Sequence, residues 1–265
     1  MIKLFVLIIV GVSAIFIFCS GDPYTPEVET GLLEIYLQDS PADYESVFIT
    51  IDSLGSRSTD NSTGELTILY SGSEKFNVVN LRNGSRCLLV SKELPEGSIG
   101  SVRIVFGQCR VVINRISYDL YFSPPACSTM EVSGRVIFNK NRDGIALLDI
   151  NLMTSISYDS VFSRYVFEPD ISLLDIDSTG SIYGTIIPPH SDIYLFKDSQ
   201  EPIAYTYAAG IFGFYGLTRG LYDSIMCAPH GLDTLFHDTL MNYNYPIYPG
   251  AEYDMLDLEL PELGG

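Results

Sequence analysis

Apolar residues recur along this chain at every second position, in short runs bounded by Gly, Pro, Asn, Asp and Ser, and no useful window holds a helical apolar period. Each such run has one apolar face to bury, so a chain patterned this way is expected to stack sheets. Residues 31–37 (GLLEIYL) set Leu33, Ile35 and Leu37 against Glu34 and Tyr36, and residues 46–52 repeat the alternation with Val47, Ile49 and Ile51. Further strands are expected at 76–81, 86–90, 101–106, 110–114, 118–122, 135–139, 145–150, 164–167 and 171–176. RNG (82–84) and PEG (95–97) serve as turns between them. A content of 18 Tyr, 14 Phe, 22 Gly and 14 Pro agrees with strands and turns over helices. The expected class is all-β.

The first 22 residues carry an address. Lys3 precedes an apolar run that ends at Cys19, and the run from Leu4 to Phe18 is short of the roughly 20 residues a membrane-spanning helix needs. The stretch resembles a lipoprotein signal and lipobox, which implies cleavage before Cys19 and lipidation of its thiol. The competing reading is an uncleaved signal anchor with Lys3 cytoplasmic and Asp22, Glu27 and Glu29 outside. Either way, everything after Cys19 is expected in the cell envelope, outside the cytoplasmic membrane.

The 265 residues suffice for two domains. Residues 1–18 are read as signal peptide and 19–30, polar with two prolines, as a tether. A first β-domain spans 31–177 and a second 178–265, with DIDSTGSIYG (175–184) at the junction. A formal charge of −18 argues against nucleic acid as a partner, because phosphate binding rests on Lys and Arg displacing counterions.

Residues 31–177 resemble domain of unknown function 4382, a domain of exported lipoproteins. The resemblance rests on GLLEIYLQDSPADYESVFITI with its Asp39-x-Pro41-Ala-Asp43 turn, on NVVNLRNG, on LPEGSIGSVRIVF with Arg103, and on the closing runs ALLDINLMTSI and YVFEPDISLL. Asn151 stands where the family commonly has an acid. The resemblance implies an exported β-rich module of unknown activity, with Asp39, Pro41 and Asp43 read first as a structural turn. From residue 180 the chain is similar to the carboxypeptidase regulatory-like domain, through GSIYGTIIPPHSDIYLF and Gly210, Phe212, Phe214, Leu217, Gly220 and Tyr222. That likeness implies a transthyretin-like sandwich of about seven strands, closed by YDMLDLEL. Gly220 is expected to turn between two paired strands.

Four cysteines remain after Cys19. Cys109 and Cys127 flank RVVINRISYDLYF, a hairpin expected to turn near residues 115–117, and are the expected disulfide; Cys87 and Cys227 are read as buried free thiols. No catalytic residue, cofactor or metal site is expected. The histidines 190, 230 and 237 form no metal pair, and no nucleophile elbow, P-loop, dinucleotide fingerprint or CxxC occurs. NKNRDG (139–144) and DIDSTG (175–180) imitate calcium loops, but each places Ile, at 150 and 186, where a bidentate Glu belongs. The first is read as a hairpin loop and the second as a linker. Asp175 and Asp177 would suit glycoside hydrolysis only with a cleft around them.

The function read from these features is a non-catalytic, lipid-anchored surface module that binds polysaccharide or an envelope protein. A structural, pilin-like subunit is the alternative and an enzyme a distant third. Within MNYNYPIYPGAEY (241–253), read as a stiff loop, Tyr243, Tyr245 and Tyr248 are the candidate glycan-stacking residues.

Overall fold

The computed structural model describes residues 28–40, 44–59, 64–187, 189–197, 202–229 and 239–259, and the fold is all-β. In the first unit a four-stranded sheet has the order β12 (Ile171–Asp175), β9 (Gly144–Asn151), β1 (Thr30–Ser40) and β4 (Cys87–Pro95). It faces a larger sheet ordered β10 (Ile156–Asp159), β11 (Arg164–Phe167), β7 (Ile116–Phe122), β6 (Cys109–Ile113), β2 (Ser46–Ser58), β5 (Gly97–Phe106) and β8 (Thr129–Phe138). β3 (Leu66–Asn77) lies along the other edge of β2. The long β2 pairs with β6 through Ser46–Phe48 and with β5 from Ile51 onward, so one strand joins the two halves of the sheet.

Alternation decides what fills the space between the layers. Leu33, Ile35 and Leu37 point into a core shared with Val47, Ile49, Val102, Ile104, Leu148 and Phe167. The parallel pair β1–β9 is covered on both faces, which explains why IALLDI reads as a continuous apolar run. Leu148 enters this core, while buried Leu147 faces the second unit.

That second unit packs a sheet of β16 (Ile211–Leu217), β13 (Gly180–Ile187) and β19 (Glu252–Glu259) on a sheet of β15 (Ala204–Ala208), β14 (Ser191–Phe196), β17 (Gly220–Pro229) and β18 (Thr239–Ile247). Phe212, Phe214, Leu217 and Tyr222 of the expected signature all enter its core. The Tyr222 hydroxyl donates to the carbonyl of Thr218, tying the β16–β17 turn to the strand that follows it.

Several local expectations change. Val78 and Val79 do not continue a strand; Val78–Leu81 forms a 3-10 turn that buries both valines, whereas a strand would have sent one outward. β8 and β9 lie in different sheets, so NKNRDG is a crossover turn between layers and no hairpin loop. β16 and β17 also lie in different sheets, and Gly220 therefore follows a change of layer rather than a hairpin turn. The β6–β7 hairpin turns at Asn114–Arg115, both at positive φ, as a two-residue mirror-image turn requires. MNYNYPI is strand β18, and its Pro246 is tolerated because β18 is an edge. Asn151 acts as a cap, its side-chain oxygen accepting from the backbone N–H of Met153 at 3.2 Å.

Candidate binding ledge and interdomain cleft

The larger sheet extends past the smaller one at its β7, β11 and β10 end. On the core-side face of these strands, buried Phe167 and Ile156 and half-buried Phe122 form one row. The next row is Leu120, Tyr165 and Tyr158, brought side by side by the Tyr165↔Leu120 and Tyr158↔Tyr165 registers. Tyr118 lies one step further on the same face of β7. The Tyr118 and Tyr165 ring centroids are 5.0 Å apart and those of Tyr158 and Tyr165 5.1 Å. Tyr158 is 54% exposed and Tyr118 37%, so the core runs outward into an open ledge of three tyrosines.

The β10–β11 turn frames the ledge. Asp159 accepts from the backbone N–H groups of Val161 (3.0 Å) and Phe162 (3.2 Å), fixing a turn that leaves both apolar side chains in solvent. Arg164 follows, its guanidinium carbon 5.2 Å from the Tyr121 ring centroid and 4.9 Å from that of Phe162. Between this turn and the start of β7 lies an open groove of about 510 Å³ lined by Tyr118, Tyr121, Phe162, Arg164, Tyr165 and Ser117. Aromatic faces and hydroxyls beside a cation suit stacking on rings with polar rims. Sequence reasoning missed this site, although a signal existed: the tetrapeptide ISYD occurs at 116–119 and again at 156–159, with Tyr in the apolar phase of each strand.

The residues singled out from sequence lie elsewhere. Tyr245 pairs across β17–β18 with buried Tyr222 and packs edge-on against Tyr253 at 5.3 Å. Tyr248 is exposed in the turn before β19, and the side chain of Tyr243 falls outside the described residues. Cys19, Pro41 and Asp43 also fall outside them.

The expected disulfide is not formed; Cys87, Cys109, Cys127 and Cys227 are free thiols. Cys109 faces Leu120 across the hairpin, while Cys127 lies beyond β7 in the 3-10 turn Pro125–Ser128. Burial pushes the Cys109 thiol up to about 11 and that of Cys227 up to about 12, far from the range of reactive thiolates.

Asp175 and Asp177 share one cation. Arg142 Nη2 lies 3.0 Å from Asp175 Oδ2 and 2.9 Å from Asp177 Oδ2, and its Nε donates to Asp177 Oδ2 at 3.0 Å. The two calcium-like stretches thus meet, with a guanidinium held between their carboxylates. Among the described residues no group of three His, Cys, Asp or Glu side chains could hold a metal ion.

A second opening lies between the two sandwiches. Gln38 Nε2 donates to the carbonyl of Tyr215 at 3.1 Å, and Gly84, at φ +79°, lies under the Tyr215 ring so closely that a Cβ would meet it at 2.7 Å. Cavities of about 130 and 370 Å³ flank this contact, one bordered by Asp149, Ser172 and Thr218 and the other by Arg86, Tyr183 and Glu252. The carboxyl of Asp39, at the end of β1, is buried with neither oxygen hydrogen-bonded. Burial and then the negative charge of Asp149 hold it well above the usual carboxylate range, with Arg82 pulling the other way.

No curated protein matches the chain. Among solved structures it is similar to the Bacillus anthracis TIE protein, at 12% identity and TM-score 0.25, covering 88% of this chain and 34% of that one. It is also similar to GBS52, the minor pilin of Streptococcus agalactiae, at 9% identity and TM-score 0.21, covering 88% of this chain and 98% of that one. The chain thus spans about a third of the length of the TIE protein. A family model, Domain of unknown function (DUF4382), matches residues 30–169, a stretch that contains every residue of the tyrosine ledge. By that match over more than half its length, the chain belongs to the DUF4382 family.

Proposed function

We propose that this protein is a non-catalytic module of the cell envelope, held to a membrane by lipid on Cys19, that binds polysaccharide on the ledge formed by Tyr118, Tyr158 and Tyr165. The observation that carries the reading is the open aromatic row itself. Three tyrosines on three adjacent strands keep ring surface and hydroxyls available where the smaller sheet does not reach. Ordinary cross-strand pairing would also stabilise such a row. What favours a ligand is the solvent-held Val161–Phe162 turn beside it, which widens the exposed apolar surface on one end of the molecule.

The second sandwich is read as a carboxypeptidase regulatory-like domain, because the buried Phe212, Phe214, Leu217 and Tyr222 use that family's signature positions as core. Its role in this reading is to present the first unit, with no chemistry or cofactor of its own. The absence of catalysis is supported by Asp175 and Asp177, whose charges are taken up by Arg142.

Affinity gel electrophoresis of the full chain in detergent, over a panel of soluble polysaccharides, tests the proposal. Aromatic contacts are each worth about 0.5–1.5 kcal/mol, so Tyr118→Ser with Tyr158→Ser is expected to weaken retention about tenfold with little change in melting temperature. Unchanged retention by the double variant would sink the ledge. Multimers that survive SDS, with no retention on any polysaccharide, would favour a structural subunit.

A further inference from the structure

We infer that the ligand of the ledge carries a carboxylate received by Arg164, so that the preferred class is an acidic, uronate-type polysaccharide; this rests on the glycan-binding reading above.

The inference starts from how the arginines of the first unit are satisfied. Arg57 bonds Glu131 at 3.0 Å, Arg110 bonds Asp119 at 2.9 Å, and Arg142 bridges two aspartates. Arg164 differs. Its guanidinium lies over the Tyr121 and Phe162 rings, and its Nε is buried without a hydrogen-bond partner. The carboxylate oxygen paired with it, Asp159 Oδ2, is 3.9 Å from Nε, too far for a hydrogen bond. The other oxygen of Asp159 is committed to the turn N–H groups of Val161 and Phe162. The group is therefore held flat by aromatic contact while the donors at its Nη end remain unmet.

A guanidinium held in this way is prepared for one kind of partner. Its planar fork matches a carboxylate with two parallel charge-assisted hydrogen bonds, and its orientation is already fixed by the rings, so little side-chain freedom is lost on binding. In the same groove Tyr118 and Tyr165 offer ring faces, and Ser117 and Ser163 offer hydroxyls. A pyranose bearing a carboxylate uses all three kinds of contact at once.

The overall charge of −18 does not oppose this locally. Charges beyond about 8–10 Å are screened at physiological ionic strength. Close to the groove, the Arg110–Asp119 pair is internally neutral and Arg164 faces Asp159 alone.

The test compares polygalacturonate with the same polymer after its carboxylates have been reduced to primary alcohols, titrated into the full chain in detergent micelles. Wild type is expected to bind the acidic polymer about tenfold or more tightly than the reduced one, and Arg164→Gln to make the two equal. Arg164→Lys, which keeps the charge and loses the fork, is expected to recover only part of the difference. Equal wild-type affinity for both polymers overturns the carboxylate and leaves the ledge standing. Binding of neither overturns the ledge as well. Binding of polyglutamate without polygalacturonate overturns the sugar in favour of an acidic protein segment. Because the wild-type comparison needs no variant, a misfolded Arg164→Gln chain does not prevent a decision.

Discussion

Asn83 of the first sandwich accepts on Oδ1 a hydrogen bond from the hydroxyl of Thr206 in the second, at 2.5 Å, and a further one from the backbone N–H of Gly213 at 3.3 Å. Thr206 is fully buried, so its hydroxyl has no recourse to water when the partner is lost. Asn83 is at φ +54°, a conformation that Asn tolerates and most residues do not. The RNG turn expected from the sequence is thus also the joint between domains.

Asn83→Gly keeps this backbone conformation and removes the side chain. It is expected to cost about 1–3 kcal/mol, the penalty for leaving a buried donor unmet. Thr206→Val, which removes the hydroxyl with its need for a partner, should cost less. A double-mutant cycle by urea denaturation should return a coupling of about 0.5 kcal/mol or more. Strict additivity would mean that the two side chains do not sense each other in solution.

Arg142 carries a second joint, between the layers. Asp175 is 9% exposed at its side chain, so Arg142→Ala leaves a largely buried carboxylate without its cation, and a loss of about 1–3 kcal/mol is expected. Because the guanidinium occupies the space between the carboxylates, millimolar calcium should leave the wild-type melting temperature unchanged. A calcium-dependent rise in wild type would instead mean that the metal displaces Arg142.

The reach of sequence reasoning follows the range of the interactions. Leu33, Ile35 and Leu37 declare a strand by themselves, because alternation within one run fixes which face is buried. Phe212, Phe214 and Tyr222 declare a sandwich core in the same way. The ledge was not legible, since it depends on Tyr118, Tyr158 and Tyr165 meeting through strand registers and on one sheet outreaching the other. The 3-10 turn at Val78–Leu81 was missed because two adjacent valines read as strand, and only the tertiary need to bury both decides otherwise. In MNYNYPI, Pro246 suggested a loop because edge position cannot be seen locally.

Tyr245 and Tyr248 should now separate. Tyr245 packs on Tyr253 and against the second core, so Tyr245→Ala is expected to destabilise by about 2–4 kcal/mol without altering polysaccharide retention. Tyr248 is 56% exposed, and Tyr248→Ala should stay within about 0.5 kcal/mol of wild type. Loss of retention in Tyr248→Ala alone would move the binding face to the second sandwich.

Asp39 makes stability depend on pH in the direction opposite to most carboxylates. Burial raises its folded-state pKa above the unfolded value, so between the two the folded chain holds a proton that the unfolded chain has released. Its protonated form is compatible with the site and its charged form is not, since neither oxygen has a hydrogen-bond partner. The contribution is therefore intact below the usual carboxylate range, falls as pH rises through that range, and is wholly lost once Asp39 ionises in the fold. Asp39→Asn, close in shape and uncharged at every pH, should remove this slope. Denaturation midpoints of the two proteins are expected to coincide near the acid end and to diverge toward neutral pH, with Asp39→Asn the more stable by about 1–3 kcal/mol. Parallel curves across that range would show that the Asp39 carboxylate finds a partner in solution.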